Sequence, residues 1–143
     1  MMQIPKEVQL LVVDDDEGDF MMIERAFESA RIVNTLIRAK DGVEALEILR
    51  GTDGKARLRQ PYLVLCDINM PRLTGLDFVS KLREDPELKG TVVFMLTTSQ
   101  HDEDKHRAYG LNVAGYIRKA NAGKGFLGLL GLLGSYVQIV DFP

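Results

Sequence analysis

The chain has 143 residues, 45% of them apolar and 27% charged, which fits one globular domain with a real hydrophobic core. Its net charge of −3 leaves no basic footprint and argues against nucleic acid as the main ligand. A single cysteine, Cys66, excludes an internal disulfide; no apolar run reaches the ~18 residues of a membrane span, and the first residues lack the regions of a signal peptide. A soluble cytoplasmic protein with no membrane partner is expected.

Residues 8–13 contain the run LLVV, a buried-strand candidate that ends in Asp14, Asp15, Asp16 and Glu17. Gly18 follows, and then Phe20, Met21, Ile23, Ala26, Phe27 and Ala30 recur at helical spacing. Residues 35–39 predict a shorter, more polar strand at a sheet edge. Asp41 and Gly42 make the next turn, and Val43, Ala45, Leu46, Ile48 and Leu49 continue as a helix. Residues 51–61, GTDGKARLRQP, form a polar, basic loop longer than the usual ~4–6 residues. A solvated loop is favoured there over a contact site.

The stretch 62–75, YLVLCDINMPRLTG, is the centre of the chain. Its apolar run is short and β-prone enough to be a strand buried on both faces, and it stops at Asp67. Pro71 and Gly75 shape the loop before Leu76, Phe78, Val79 and Leu82 turn helical, and Asp85 with Pro86 ends that helix. Residues 91–96, TVVFML, predict a strand leading to Thr97, Thr98 and Ser99. Residues 102–109 are charged and helix-compatible, with Gly110 as the stop. Residues 113–117 predict the fifth strand, leading to Arg118 and Lys119. From Gly123 onward an apolar, glycine-interrupted segment predicts a final helix, although each interior glycine costs ~1 kcal/mol relative to alanine.

Five strands alternating with about five helices imply an α/β fold: a doubly wound parallel sheet with helices on both faces. Right-handed crossovers then bring every strand's C-terminal end to one edge. No repeat, low-complexity tract or linker interrupts the chain, so residues 1–143 read as one domain, with a core at about 8–135 and an apolar tail at 136–143.

At that edge the pattern collects Asp14, Asp15 and Asp16, then Asp67, then Thr97 and Thr98, then Lys119. Crowded carboxylates repel one another unless a cation neutralises them. Oxygen donors favour a hard divalent ion, and Mg²⁺ takes one or two carboxylates plus waters and a phosphate oxygen. A lysine and a hydroxyl opposite the acids can hold a phosphoryl group. An aspartate can act as nucleophile and form an acyl phosphate. Asp67, most central by strand order, is the candidate, although alone it reads equally well as a loop residue or helix cap. Metal and lysine together would stabilise charge on the transferring group.

The residues VVDDDEGD at 12–19, AKDGVEAL at 39–46, LCDINMPRLTG at 65–75, MLTTS at 95–99 and AGYIRK at 114–119 resemble the motifs of response-regulator receiver domains. The chain is similar to the single-domain chemotaxis regulators. Five fragments in register over nearly the whole chain make the resemblance specific. It implies the flavodoxin-like strand order 2-1-3-4-5. It also implies that Asp67 accepts the phosphoryl group, that Asp15 binds Mg²⁺ directly and Asp14 mainly through water, and that Asn69 offers its backbone carbonyl to the metal. Thr97 would donate its hydroxyl to the phosphoryl group, Lys119 would pair with one of its oxygens, and Tyr116 would turn inward as Thr97 moves. Thr98 would govern access. The family usually has proline after the lysine; here Ala120 stands there, and a cis non-proline bond costs ~2.5–4 kcal/mol.

The implied function is a stand-alone phosphorylation switch that receives its phosphoryl group from a histidine kinase or phosphotransfer protein and signals by protein contact. The long loop before the third strand and the apolar tail resemble the small regulators paired with bacterial phytochrome-type kinases, and a homodimer through the last helix and tail is expected. An aspartyl-phosphate phosphohydrolase is the weaker enzyme alternative, because Asn69 stands where such enzymes need an acid/base aspartate. A degenerate receiver acting as a constitutive adaptor is the other. The remaining residues have structural readings: Asp16 as a helix N-terminal acid, His101 and His106 as solvent-facing, and Met21, Met22, Met70 and Met95 as core or site wall. Residues 126–133 read as core on one face.

Overall fold

The structure, a computed structural model, describes residues 8–143 apart from the side chain of Gln138; residues 1–7, on which the absence of a leader was read, lie outside the described residues. The chain alternates β1 (Gln9–Val13), α1 (Glu17–Ser29), β2 (Leu36–Ala39), α2 (Gly42–Arg50), β3 (Tyr62–Cys66), α3 (Gly75–Glu84), β4 (Val93–Thr97), α4 (Asp102–Gly110), β5 (Gly115–Arg118) and α5 (Leu127–Ile139). All strands pair in parallel in the order β2-β1-β3-β4-β5. This is the flavodoxin-like arrangement.

The continuous apolar runs have a direct cause. Successive strand side chains point to opposite faces, and both faces are covered by helices. Leu11, Val13, Val64, Cys66, Val93 and Met95 join one core with α2 and α3 residues such as Leu49, Phe78 and Leu82. Leu10, Val12, Leu63, Leu65, Phe94 and Leu96 join a second core with Ile23 and Phe27 of α1 and Leu129, Leu130 and Leu133 of α5. Side chains cap three helices at the site edge or beside it: Asp16 for α1, Asp41 for α2 and Thr74 for α3. Each cap oxygen accepts an otherwise orphaned amide. Among the described residues no helix is long and apolar enough to cross a membrane.

Several expectations shift. β4 begins at Val93 and takes in Thr97 as its last residue, and β5 runs from Gly115 to Arg118. The final helix does not start near Gly123. Two short 3₁₀ turns at Lys119–Asn121 and Lys124–Phe126 precede α5, because Gly123, Gly125 and Phe126 all take positive φ. Met70 and Met95 are buried, but Met21 and Met22 lie exposed on the outer side of α1. The polar 51–61 loop is fastened to the body: Leu58 is buried and its amide donates to the Ile48 carbonyl at 3.0 Å, while Lys55 pairs with Glu47 and Arg57 with Glu87. At the other end, Tyr136 stacks edge-on against Phe94 with centroids 4.9 Å apart and against Phe142 at 6.0 Å. The tail therefore folds back on its own sheet, while Leu127, Leu132, Ile139 and Val140 stay exposed.

Candidate functional site: an acid cluster with one half-buried lysine

Parallel pairing sets the geometry. Val13 of β1 lies opposite Cys66 of β3, so the next residues, Asp14 and Asp67, emerge side by side. The Asp67 amide continues the ladder by donating to the Val13 carbonyl at 2.9 Å. Carboxylate oxygens of Asp14, Asp15 and Asp67 all lie within 4.8 Å of one another. Asp14 and Asp67 are buried, and Asp15 is exposed.

Lys119, immediately past β5, reaches across this cluster. Its Nζ donates to Asp19 at 2.5 Å, to Asp14 at 3.1 Å and to Asp67 Oδ2 at 3.4 Å. The Lys119–Ala120 peptide is trans, the cis bond among the described residues being Gln60–Pro61. A 3₁₀ turn, Lys119–Asn121, follows directly, and its residues line the cavity beside the cluster. Alanine in place of proline thus leaves the ammonium among the carboxylates.

The electrostatics follow from burial. Desolvation pushes the Asp14 carboxyl up from 3.8 to about 6, and the Asp67 charge adds to it. The amide of Asp16 and the Lys119 ammonium pull the other way without winning. For Lys119, burial disfavours the charge, but the hydrogen bond to Asp19 and the charges of Asp67 and Asp14 outweigh it and raise its pKa. The lysine stays protonated. Burial drives the Cys66 thiol well above its usual value, and its Sγ donates to the Asp67 carbonyl at 3.1 Å.

Asp67 Oδ1 accepts from the Ile68 amide at 2.7 Å, and Oδ2 faces Lys119. Gly75 closes the loop behind it: its amide donates to the Ile68 carbonyl, and a Cβ at this position would meet the Asp67 carbonyl oxygen at 1.8 Å. Arg72, at positive φ in the same loop, grips the buried Asp41 through two bonds of 2.8 and 3.1 Å. The acceptor loop is thereby tied to the start of α2.

Thr97 is fully buried at the end of β4, and its hydroxyl accepts from the Ser99 amide at 3.1 Å. Thr98 and Asn69 are exposed. Tyr116 is half-buried, two residues before Arg118 on β5, and its hydroxyl is buried with no hydrogen-bond partner. Thus Asp14, Asp15, Asp67 and Lys119 meet directly, whereas Thr97 and Tyr116 make no direct bond to them. An open cavity of about 490 Å³ adjoins the cluster, lined by Thr97, Thr98, Gln100, Arg118, Lys119 and Asn121 among others.

Two contributors escaped the sequence reading. Asp19 takes the shortest contact of Lys119; its place in the first turn of α1, just after the acid run, was the available signal. Arg38 on β2 donates to the carbonyls of Asp14 at 3.3 Å and Asp15 at 3.1 Å, and no sequence pattern marks it. His101 and His106 are exposed, and Asp16 caps α1 through its side chain.

The donor set fits a divalent cation. All three clustered ligands are carboxylates, their separations suit one ion, and a single ammonium does not balance their charge. Oxygen ligands of this kind suit Mg²⁺ and Mn²⁺ alike.

Comparison with known proteins agrees with this architecture. The chain is 27% identical over 135 residues to the response regulator Rcp1 of Synechocystis, covering 94% of this chain and 92% of Rcp1. It is 32% identical over 114 residues to the chemotaxis protein CheY-3 of Vibrio cholerae, covering 80% and 82%. The solved structure of the phosphorylated cyanobacterial phytochrome response regulator RcpA superposes with a TM-score of 0.86 at 28% identity, covering 97% and 99%. Rcp1 itself has been solved in a Mn²⁺-bound form, with a TM-score of 0.83, 28% identity and coverage of 97% and 99%. Receiver domains bind divalent metal, interact with histidine kinases or phosphotransfer proteins, and are in general switches rather than catalysts. Residues 10–127 match the family described as the response regulator receiver domain, and the chain belongs to that family as a two-component response regulator.

Proposed function

We propose that Asp67 is the phosphoryl acceptor of a single receiver domain, with a core at about 8–135 and a tail at 136–143, that switches a protein-interaction face. The observation that carries this reading is the convergence of Asp14, Asp15 and Asp67 at the C-terminal edge of the sheet, with one partly buried ammonium paired to Asp14 and Asp67. In the transfer, the Asp67 carboxylate forms an O–P bond as the P–N bond to a donor histidine breaks. The imidazole nitrogen keeps the electron pair and takes up a proton. Lys119, freed from part of its pairing with Asp67, holds a phosphoryl oxygen. Asp14, Asp15, Asp67 and the Asn69 carbonyl would hold Mg²⁺, which when bound offsets the charge of the carboxylates and the phosphoryl group.

Thr97 then releases the Ser99 amide and donates its hydroxyl to the phosphoryl group, with Thr98 setting access. Tyr116, whose buried hydroxyl lacks a partner, moves inward behind Thr97. An unsatisfied buried hydroxyl costs ~1–3 kcal/mol, which a partner gained in the shifted position would relieve. The chain is not an enzyme in this scheme, beyond gaining and losing its own phosphoryl group.

The donor is a cytoplasmic histidine kinase or phosphotransfer protein, as the lone reduced cysteine also suits. Likeness to Rcp1 and RcpA supports pairing with a phytochrome-type kinase. The exposed Leu132 and Ile139 on α5 support a homodimer through the last helix and tail. The test is incubation with Mg²⁺ and acetyl phosphate. Acid-labile phosphate on wild type but not on Asp67→Asn supports the switch, whereas no label from any donor overturns it.

A further inference from the structure

Arg38 sits on the edge strand β2 and belongs to no motif of the site. β2 pairs Arg38 with Val12 and Ala39 with Val13, so Arg38 lies level with the end of β1. From there its guanidinium bends over the strand end and forks: Nε donates to the Asp14 carbonyl at 3.3 Å and Nη2 to the Asp15 carbonyl at 3.1 Å. Both carbonyls lie beyond the last residue of β1, outside its ladders. We propose that Arg38 is a positioning residue for the cation site, holding the Asp14–Asp15 backbone so that both carboxylates converge on Asp67. The inference rests on the reading of these acids as the metal ligands.

Three carboxylates within 4.8 Å repel one another, and of these Lys119 pairs with Asp14 and Asp67 only. Without a divalent ion the Asp15 end of the β1–α1 turn is therefore pushed away from Asp67. Inside the turn, the Asp16 amide ties to Asp14 Oδ1 at 2.9 Å, and the Asp14 amide ties to the Ala39 carbonyl at 3.0 Å. These bonds hold Asp14. Asp15 is exposed, and its link to another element is the Arg38 bond to its carbonyl. The planar fork suits the task, since one rigid group fixes two successive carbonyls and lysine cannot reproduce it.

Arg38 also carries positive charge, and charge alone would repel a divalent ion. The two effects have opposite signs, so the comparison decides between them. Outer groups that orient metal ligands typically change affinity 10–100-fold when removed. Lysine at 38 keeps the charge and loses the fork, whereas glutamine loses the charge and keeps one short donor.

The experiment is a Mn²⁺ titration of the full chain, with free Mn²⁺ read by electron paramagnetic resonance, on wild type, Arg38→Lys and Arg38→Gln. About ten-fold weaker binding is expected for both variants, with lysine at least as weak as glutamine. The Mg²⁺ needed for half-maximal phosphorylation by acetyl phosphate should rise in parallel, with the rate at saturating Mg²⁺ little changed. Arg38→Gln binding Mn²⁺ as tightly as wild type or tighter overturns the proposal, because charge then dominates. Full affinity in Arg38→Lys overturns it too. Wild type that fails to bind Mn²⁺ at all sinks the metal reading itself, and that arm is read before any substitution. Melting of each variant in chelator guards against a folding defect: a variant that melts like wild type but binds weakly supports the proposal, and weak binding that merely tracks a lower melting point counts against it.

Discussion

Replacing Asp14 by asparagine should stabilise the metal-free chain while removing its hold on a divalent cation. Burial holds this carboxyl at about 6 instead of 3.8, despite its bonds from the Asp16 amide and Lys119. At about 1.36 kcal/mol per pKa unit, that displacement amounts to about 3 kcal/mol against the folded state once the group is ionised. Solvent at the open mouth of the site reduces it to about 2 kcal/mol. The sign follows from proton binding. Between 3.8 and about 6 the folded chain holds more protons than the unfolded one, so wild-type stability falls as pH rises through that window and is level above it. Asparagine keeps an oxygen for the Asp16 amide and has no charge to bury, and Lys119 retains Asp19 and Asp67.

In chelator at pH 8, Asp14→Asn should therefore melt about 6–8 °C above wild type, taking about 3–4 °C per kcal/mol for a domain of this size. At pH 4.5 the gain should fall to roughly a third, because most of the penalty is not yet present. Added Mg²⁺ should raise the melting point of wild type and leave the variant unmoved. Thermal scans by circular dichroism at the two pH values decide it. A variant less stable than wild type at pH 8, or a gain equal at both pH values, would refute the claim that desolvation dominates at Asp14.

Three further outcomes are expected. Gly75→Ala puts a Cβ on the Asp67 carbonyl, a backbone clash that no rotamer relieves; a loss of about 1–3 kcal/mol in urea titration and a phosphorylation rate down at least about ten-fold should follow, and a wild-type rate would show the acceptor loop to be pliant. Arg83 donates to the carbonyls of Lys89, Thr91, Leu111 and Asn112 at the opposite edge of the sheet, so Arg83→Met should cost about 2–4 kcal/mol in the same titration yet leave phosphorylation intact. For the dimer, sedimentation with beryllofluoride should find wild type as a dimer and the Leu132→Glu, Ile139→Glu double variant as a monomer; wild type that stays monomeric at high concentration with and without the mimic removes that proposal.

Much of this architecture was legible because burial on both faces writes a strand as an uninterrupted apolar run, as in LLVV and YLVLC. Acids directly after two such runs then marked the edge where Asp14 and Asp67 would meet. The region after Lys119 was harder. Its 3₁₀ turns depend on positive φ at Gly123, Gly125 and Phe126, and a glycine in sequence does not say which sign it takes. Met21 and Met22 misled because helical spacing fixes a repeat but not how wide the buried stripe is. Arg38 and Asp19 stayed hidden for another reason. Each acts across elements, and contacts between elements leave no periodic trace.

The packing around Cys66 gives the protein a built-in reporter. The thiol is wholly buried in the central strand, one residue before Asp67, and it stays protonated because its surroundings disfavour the thiolate. A thiol reagent can reach it only when the core packed on that face of the sheet, with Leu49, Phe78 and Leu82, opens. Alkylation of this one sulfur therefore counts openings of that core. Its slowing by bound cation or phosphoryl group measures how strongly the site braces the fold from within, with no label added to the chain.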